Sequence, residues 1–229
     1  MKLPMNRRQM FTNEQVLHSE PAELLGDWHP LVAQLGSTEG LVEFASLASL
    51  LQVGTIEHAH ALREFLRRYT GELLLPVELP AIRRAFDHAS ANELRELIEF
   101  DREQGLHPLL RDFTSASRRM GQEQLRRLKP LRDHRFIQRY LLAVDEGRAE
   151  AWHTLVFGVT LAVYSLPLRQ GLLHYGAETL RGFVQLGCRS ITVSETVLKE
   201  MLDECFEQLV ASVDALLPAQ DGGDFLRAV

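Results

Sequence analysis

The spacing of the apolar residues restricts the possible folds of this chain more than any other feature does. Across the 229 residues they recur at i, i+3, i+4 and i+7, which is the period of an amphipathic helix. No segment sustains the period-two alternation that a half-buried strand requires. The pattern predicts an all-α fold, a single compact multi-helix domain of roughly nine or ten helices over residues 1–217, with flexibility in the first ~20.

Glycine and proline mark the predicted helix boundaries. One helix is expected from Thr55 to Thr70, with Gly71 as its C-terminal cap and with Pro76 and Pro80 breaking the pattern that follows. Ser90 and Glu93 have the spacing of a capping box, in which each side chain satisfies a free backbone N–H of the other residue. That box predicts the start of a new helix.

The last twelve residues, PAQDGGDFLRAV, differ in composition from the helical segments before them. Two glycines and two aspartates predict a flexible C-terminal tail over residues 218–229. Phe225 and Leu226 form an apolar pair near its tip. A tail of this kind is either a solvated end or a segment that becomes ordered on a partner protein.

Charge and hydropathy exclude several classes of protein. The net charge is -6, whereas nucleic-acid binding needs a basic surface that neutralises phosphates. No apolar run reaches the roughly 18 residues that a membrane-spanning helix needs. The basic N-terminus, MKLPMNRRQMF, has no apolar region after it and does not fit a secretory signal. We expect a cytoplasmic protein that binds neither nucleic acid nor membrane.

Motifs of known catalytic chemistry are missing from the sequence. It contains no G-x-G-x-x-G, G-x-x-x-x-G-K-[ST], G-x-S-x-G or H-E-x-x-H pattern. These patterns build phosphate-binding loops, nucleophile elbows and catalytic zinc sites. The chain is therefore predicted to be no enzyme and to bind no nucleotide itself, and we assign no catalytic residue and no cofactor.

The best local candidate for a metal site follows from helix geometry. On the predicted helix Glu57, His60 and Glu64 share a face at i, i+3 and i+7, and these ligands could hold a divalent metal weakly. His58 points about 200° away from His60 on such a helix. A solvated polar stripe explains the same residues, and we prefer that interpretation. His153 lies among apolar residues and is predicted to be a core histidine rather than a ligand.

A basic run crosses the middle of this acidic chain. It consists of Arg118, Arg119, Arg126, Arg127 and Arg132. We interpret it as a solvated helix face with some i,i+4 pairing. The alternative is a docking patch for an acidic partner.

Three stretches, in order, carry a family resemblance. The first, Leu47 to Leu62 (LASLLQVGTIEHAHAL), includes Gly54. The second, Phe113 to Leu128 (FTSASRRMGQEQLRRL), includes Ala116, Ser117, Arg118, Met120 and Gly121. The third begins at His153 and includes Phe157, Gly158, Pro167 and Tyr175. Gly121 costs a helix about 1 kcal/mol relative to alanine, and a close backbone approach is a physical reason to keep it there.

Together these stretches resemble the urease accessory protein UreF family. The match departs from the family pattern at Gln52, Ile56, His58, Ala59, Ala61 and Arg63. It departs again after the third stretch, where CRSITVSE (Cys188 to Glu195) replaces a Gly-Gln motif. The chain therefore resembles a divergent member, or a paralogue whose partner has shifted.

The resemblance implies a function through partners. UreF-like proteins are all-α, tend to form homodimers, bind an accessory protein called UreD or UreH, and with it recruit the GTPase UreG. The complex delivers nickel to the urease apoprotein, so the resemblance implies a non-catalytic chaperone in nickel insertion, with nickel handled by the complex. Our interface candidates are Glu57, His58, His60, Arg118, Arg119, Phe225 and Leu226. The alternative is a helical metal-binding protein or enzyme that uses Glu57, His60 and His153.

Overall fold

The computed structural model describes residues 29–30, 38–108, 110, 114–128 and 135–217. Within these ranges it contains α-helices and one π-helical segment, and no strand, which confirms the all-α prediction. The α-helices are α1 (Thr38–Leu50), α2 (Ala59–Tyr69), α3 (Leu79–Ser90), α4 (Leu94–Gln104), α5 (Thr114–Arg127), α6 (Arg135–Asp145), α7 (His153–Val163), α8 (Leu168–Gly187) and α9 (Glu195–Leu216). The π-helical segment is Thr70–Glu78.

The π-helical segment joins α2 to α3 without a break. Gly71 and Pro76, which the sequence analysis assigned to a helix end and a break, both lie inside it. The backbone N–H of Leu79 donates to the carbonyl of Leu74, an i→i+5 bond of the π type. The continuous run leaves eight separate helical segments in the described ranges, slightly fewer than the nine or ten expected.

Two predicted boundaries next to this run are shifted. Helix α2 begins at Ala59 rather than Thr55, and His58 is its N-cap, with an extended backbone and a ring Nδ1 that accepts from the N–H of Ala61 at 3.1 Å. Ser90 is the last residue of α3, so the predicted capping box does not form. The Glu93 carboxylate instead lies 2.9 Å from Nδ1 of His88.

Helix α7 is the central element of the described fold. Its residues from His153 to Leu161 are all buried, and it packs against α3 on one side and α5 on another. Two glycines make these approaches possible. A Cβ added at Gly158 would lie 2.3 Å from the carbonyl oxygen of Ile82 in α3. A Cβ at Gly121 in α5 would lie 1.9 Å from the carbonyl oxygen of Ala151.

Helices α8 and α9 complete the core around α2 and the π-helical segment. Helix α8 contacts α2, α3 and α9, and α9 also contacts the π-helical segment. One contiguous cluster of buried apolar residues extends from Phe44 to Val213. None of the helices in the described part of the chain has both the length and the apolar character needed to cross a membrane.

We predict that Gly121→Ala destabilises the protein strongly whereas Gly71→Ala does not. The added methyl at position 121 meets backbone atoms that have no room to move, so we expect a loss of about 2 kcal/mol or more of unfolding free energy. A Cβ at Gly71 has no atom within 4 Å, so this control should be neutral or stabilise by up to about 1 kcal/mol. Urea unfolding measures both. Equal effects of the two substitutions would contradict the close approach of α5 to Ala151.

Candidate functional site

A buried carboxylate lies where the π-helical segment meets α3. Glu78 is 1% exposed, although no arginine or lysine pairs with it among the described residues. Its Oε2 accepts hydrogen bonds from the hydroxyls of Tyr69 at 2.7 Å and Tyr175 at 3.0 Å. Burying a carboxylate is costly unless its oxygens are satisfied in this way. The two tyrosines come from α2 and α8, so the contact joins three parts of the chain.

His153, the first residue of α7, extends this network. Its Nε2 lies 2.8 Å from the Tyr175 hydroxyl, its Nδ1 lies 2.6 Å from Oγ of Ser117, and its backbone N–H donates to that same Oγ. Since Tyr175 donates to Glu78, its oxygen accepts from Nε2–H of His153. Ser117 then donates to Nδ1. His153 is thus buried in the core, and both of its ring nitrogens are bonded rather than one.

The pKa values of the network follow from its burial. Burial lowers the pKa of His153 to about 3, helped by the nearby His29, so its ring is neutral. Burial alone would raise the pKa of Glu78, but the contacts with His29, His153 and Tyr69 outweigh it and lower the pKa. Burial also raises the pKa of both tyrosines well above the usual value. The neighbouring charge of Glu78 raises it further. The network therefore holds one carboxylate and its neutral donors.

His29 brings a distant segment to the same place. It is 1% exposed, and its Nε2 lies 3.5 Å from Oε1 of Glu78. Its ring makes edge-on contacts with the rings of Tyr69, His153 and Phe183, with centroids 5.0 to 5.9 Å away. His29, Glu78 and His153 form the one group of three possible metal ligands in the described ranges, with one atom of each within 4.8 Å of the others. We call these three residues the His-Glu-His cluster.

A second buried carboxylate, Asp101, lies in α4. Oδ2 of Asp101 accepts from the Tyr140 hydroxyl at 2.7 Å and from the backbone N–H groups of Glu150 and Ala151 at 3.2 and 2.9 Å. These bonds hold the segment that leads into α7. Burial raises the pKa of Asp101 to about 6, although the hydrogen bonds oppose the shift.

The residues that carry the family resemblance are mostly internal. Ser117, His153 and Tyr175 belong to the network, and Gly121 and Gly158 allow helices to approach closely. Phe157 is buried against Tyr175, Met120 is half-buried, Pro167 is the N-cap of α8, and Gly54 has a φ of +75°. Apart from the exposed Gly54 and Pro167, these residues shape the core rather than a surface.

Sequence reasoning missed His29, Glu78 and Asp101. Glu78 lies in an apolar stretch, PVELPA, and Asp101 lies one residue after the buried Phe100, so an acid on an otherwise apolar face was the available clue. His29 lies outside every segment with a clear helical pattern. His29 contacts residues far away in the chain, and such a contact produces no pattern in the local spacing of residues.

The predicted metal stripe does not form a ligand group. Glu57 precedes the first residue of α2, so it does not share a helix face with His60 and Glu64. Glu64 binds Arg67 and Arg68 at 2.7 Å, and these hydrogen bonds lower its pKa to about 2. The rings of His58 and His60 lie 6.2 Å apart, because His58 is outside the helix.

The two predicted interface arginines differ in their surroundings. Arg118 forms an ion pair with Glu150 and is partly buried. Arg119 is exposed, and we find no ion pair for it within the described ranges. Glu57, His58 and His60 are exposed. Phe225 and Leu226 lie outside the described residues.

Comparison with known proteins gives one family match. The model of the UreF family matches residues 56–205, which is more than half of the chain. The matched stretch includes Glu78, Asp101, Ser117 and His153 but not His29. No curated protein matches the chain.

We predict that Asp101→Asn removes a pH-dependent contribution to stability. Because the folded-state pKa of Asp101 is raised above its ordinary value of 3.8 to about 6, the protonated form favours folding. That contribution is complete below pH 3.8 and is lost as the pH rises through about 6. Relative to Asp101→Asn, the native protein should lose roughly 2–3 kcal/mol of unfolding free energy between pH 4 and pH 7.

Urea unfolding at several pH values measures this difference. The control is Glu99→Gln, which removes an exposed carboxylate from the neighbouring face of α4. That variant should follow the native pH profile. Parallel profiles for Asp101→Asn and the native protein would contradict the raised pKa.

Proposed function

Because the chain belongs to the UreF family of urease accessory proteins, and so has a non-catalytic role in urease maturation, we propose that it is a scaffold. It bridges a UreD- or UreH-type accessory protein and the GTPase UreG while nickel is inserted into the urease apoprotein. Nickel is the cargo of this complex.

One observation carries the proposal. The polar groups in the core, among them Glu78 and His153, are bonded to one another and shielded from solvent. Chemistry on a substrate would need at least one such group to be accessible. The same motif stretches present charged side chains, including Arg119, on their outer side. Polar groups that are already bonded within the core, together with charged side chains on the surface, suit a protein that works by binding.

The outer face of α5 is the first proposed partner surface. Arg119 and Arg126 are exposed, whereas Arg127 pairs with Glu123. An exposed guanidinium without an internal partner is free to make charge-assisted hydrogen bonds to a carboxylate on another protein. Arg118 contributes less because Glu150 already holds it. We propose that this face binds an acidic surface of a partner protein.

The start of α2 is the second proposed partner surface. Glu57, His58 and His60 are exposed there, next to the turn at Gly54. His58 also caps α2, so its substitution would affect the helix as well as a partner. His60 is the cleaner residue with which to test this surface.

The alternative metal site or active site at Glu57, His60 and His153 has no support in the geometry. His153 lies in the core, whereas Glu57 and His60 are exposed, and these three residues do not form a ligand group within the described ranges. A paralogue with a different partner remains the competing proposal, and the binding experiment decides between the two. We further propose that the chain acts as a homodimer in the cytoplasm.

We predict that the native chain, co-expressed with a UreD-type protein, co-purifies with it and that the pair then captures UreG. Arg119→Glu should weaken the complex at least tenfold, because the reversed charge repels an acidic surface. Surface plasmon resonance measures the affinity, and circular dichroism checks the fold.

The matched control is Arg95→Glu, which makes the same charge change at an exposed position on α4. It should bind as the native chain does. A native chain that folds but binds no UreD-type protein would favour the paralogue. If Arg119→Glu and Arg95→Glu weaken the complex equally, the effect comes from the change in net charge and not from this face of α5.

We predict that removing residues 218–229 weakens partner binding and leaves the fold intact. Phe225 and Leu226 would supply an apolar anchor that becomes ordered on the partner. The double variant Phe225→Ser/Leu226→Ser should reproduce the loss without shortening the chain. Affinity and helicity are measured together. A loss of helicity on truncation would show that the tail belongs to the fold.

A further inference from the structure

The His-Glu-His cluster has the composition of a metal site. Two imidazoles and one carboxylate are a recurrent ligand set for Zn²⁺, and imidazole also suits Ni²⁺ and Co²⁺. The three residues come from the segment at 29–30, from the end of the π-helical segment and from the start of α7. All three are buried. These three polar side chains are therefore not grouped together merely as part of a solvent-exposed surface.

The spacing of the donor atoms fits an ion better than it fits a hydrogen bond. His29 Nε2 and Glu78 Oε1 lie 3.5 Å apart, beyond the 2.7–3.2 Å of an N–H···O bond. Two ligands of a tetrahedral ion with bonds of about 2.0–2.1 Å lie about 3.4 Å apart. Oε1 accepts no hydrogen bond from the described residues. The widest gap, 4.8 Å, closes with side-chain shifts of about an ångström.

The neighbours of the cluster orient it as the outer groups of a metal site do. Metal-binding histidines commonly hold their second nitrogen in a hydrogen bond, and metal-binding carboxylates are bonded as well. Ser117 bonds Nδ1 of His153, whereas Nε2 is bonded to the hydroxyl of Tyr175, which itself bonds Glu78. Tyr69 and Tyr175 bond Oε2 of Glu78, which leaves Oε1 on the side of His29.

His153 can change tautomer without losing its bond to Ser117. When Nε2–H donates to Tyr175, Ser117 donates to Nδ1. In the other tautomer Nδ1–H donates to Ser117, and the lone pair of Nε2 becomes available to an ion. Tyr175 keeps its bond to Glu78 in both. The ring is already neutral, as metal binding requires.

We propose that His29, Glu78 and His153 bind one divalent transition-metal ion, of the class of Zn²⁺, Ni²⁺ and Co²⁺. The ion fastens residues 29–30 to α7 and to the π-helical segment. It offsets the buried charge of Glu78 and is held inside the fold. The site does not depend on the proposed scaffold role, because it needs no partner protein.

The test uses the purified full-length chain after treatment with a chelator. Co²⁺ serves as the spectroscopic probe, and calorimetry follows Zn²⁺ and Ni²⁺. We expect one ion per chain, visible absorption bands typical of a four- or five-coordinate Co²⁺, and a higher melting temperature. X-ray absorption of the Zn²⁺ form should show nitrogen and oxygen ligands without sulfur. No binding at one ion per chain, or a sulfur ligand from Cys188 or Cys205, overturns the proposal.

Two variants locate the site. His29→Asn removes one ligand from the end of the described chain and should weaken binding at least a hundredfold while helicity is kept. The control variant His60→Ala removes an exposed histidine of α2 that does not cap the helix, and it should bind as the native chain does. Native affinity in His29→Asn, or lost affinity in His60→Ala, overturns the assignment. If His29→Asn does not fold, the absorption spectra of the native chain still decide between the ligand sets.

Discussion

The hydrogen bonds to the Glu78 carboxylate impose the strictest requirement on this fold. A buried charge without partners would cost several kcal/mol, so the native state needs Tyr69 and Tyr175 in position, and Tyr175 is bonded in turn to His153. Those residues lie in α2, α8 and α7. An apolar core tolerates small shifts of its helices, but a network of fixed donor and acceptor positions does not. The network therefore sets the relative placement of three helices.

The sequence predicted the helical class and several residues of the core, but not the centre of the network. Helical periodicity is local, so the helical class could be recognised from spacing alone. Gly121 stood out because a glycine inside a helix has a cost, and the structure provides the reason in the carbonyl of Ala151. Glu78 and Asp101 were missed because each is satisfied by residues far away in the chain. His29 was missed for the same reason.

The family signature and the proposed partner surfaces occupy different sides of the same helices. In α5 the motif supplies Ser117 and Gly121 to the interior, whereas Arg119 points outward. A family pattern built from interior residues identifies the fold well and identifies the partner poorly. The departures near His58 and Ala61 lie at the start of α2, beside residues that face solvent. They are compatible with an unchanged core, since the Glu78 network does not use them.

The π-helical segment also changes the direction in which the side chains of the continuous helical run point. Each of its turns holds about one residue more than an α-turn, so over nine residues the chain gains roughly two residues relative to a straight α-helix. The apolar stripe of α3 is thereby rotated away from that of α2. Along this continuous run, α2 packs against α8 and α9, whereas α3 packs chiefly against α7 and also contacts α8. At this place Gly71 and Pro76 were interpreted as a helix end and a break, although the helical run continues through both.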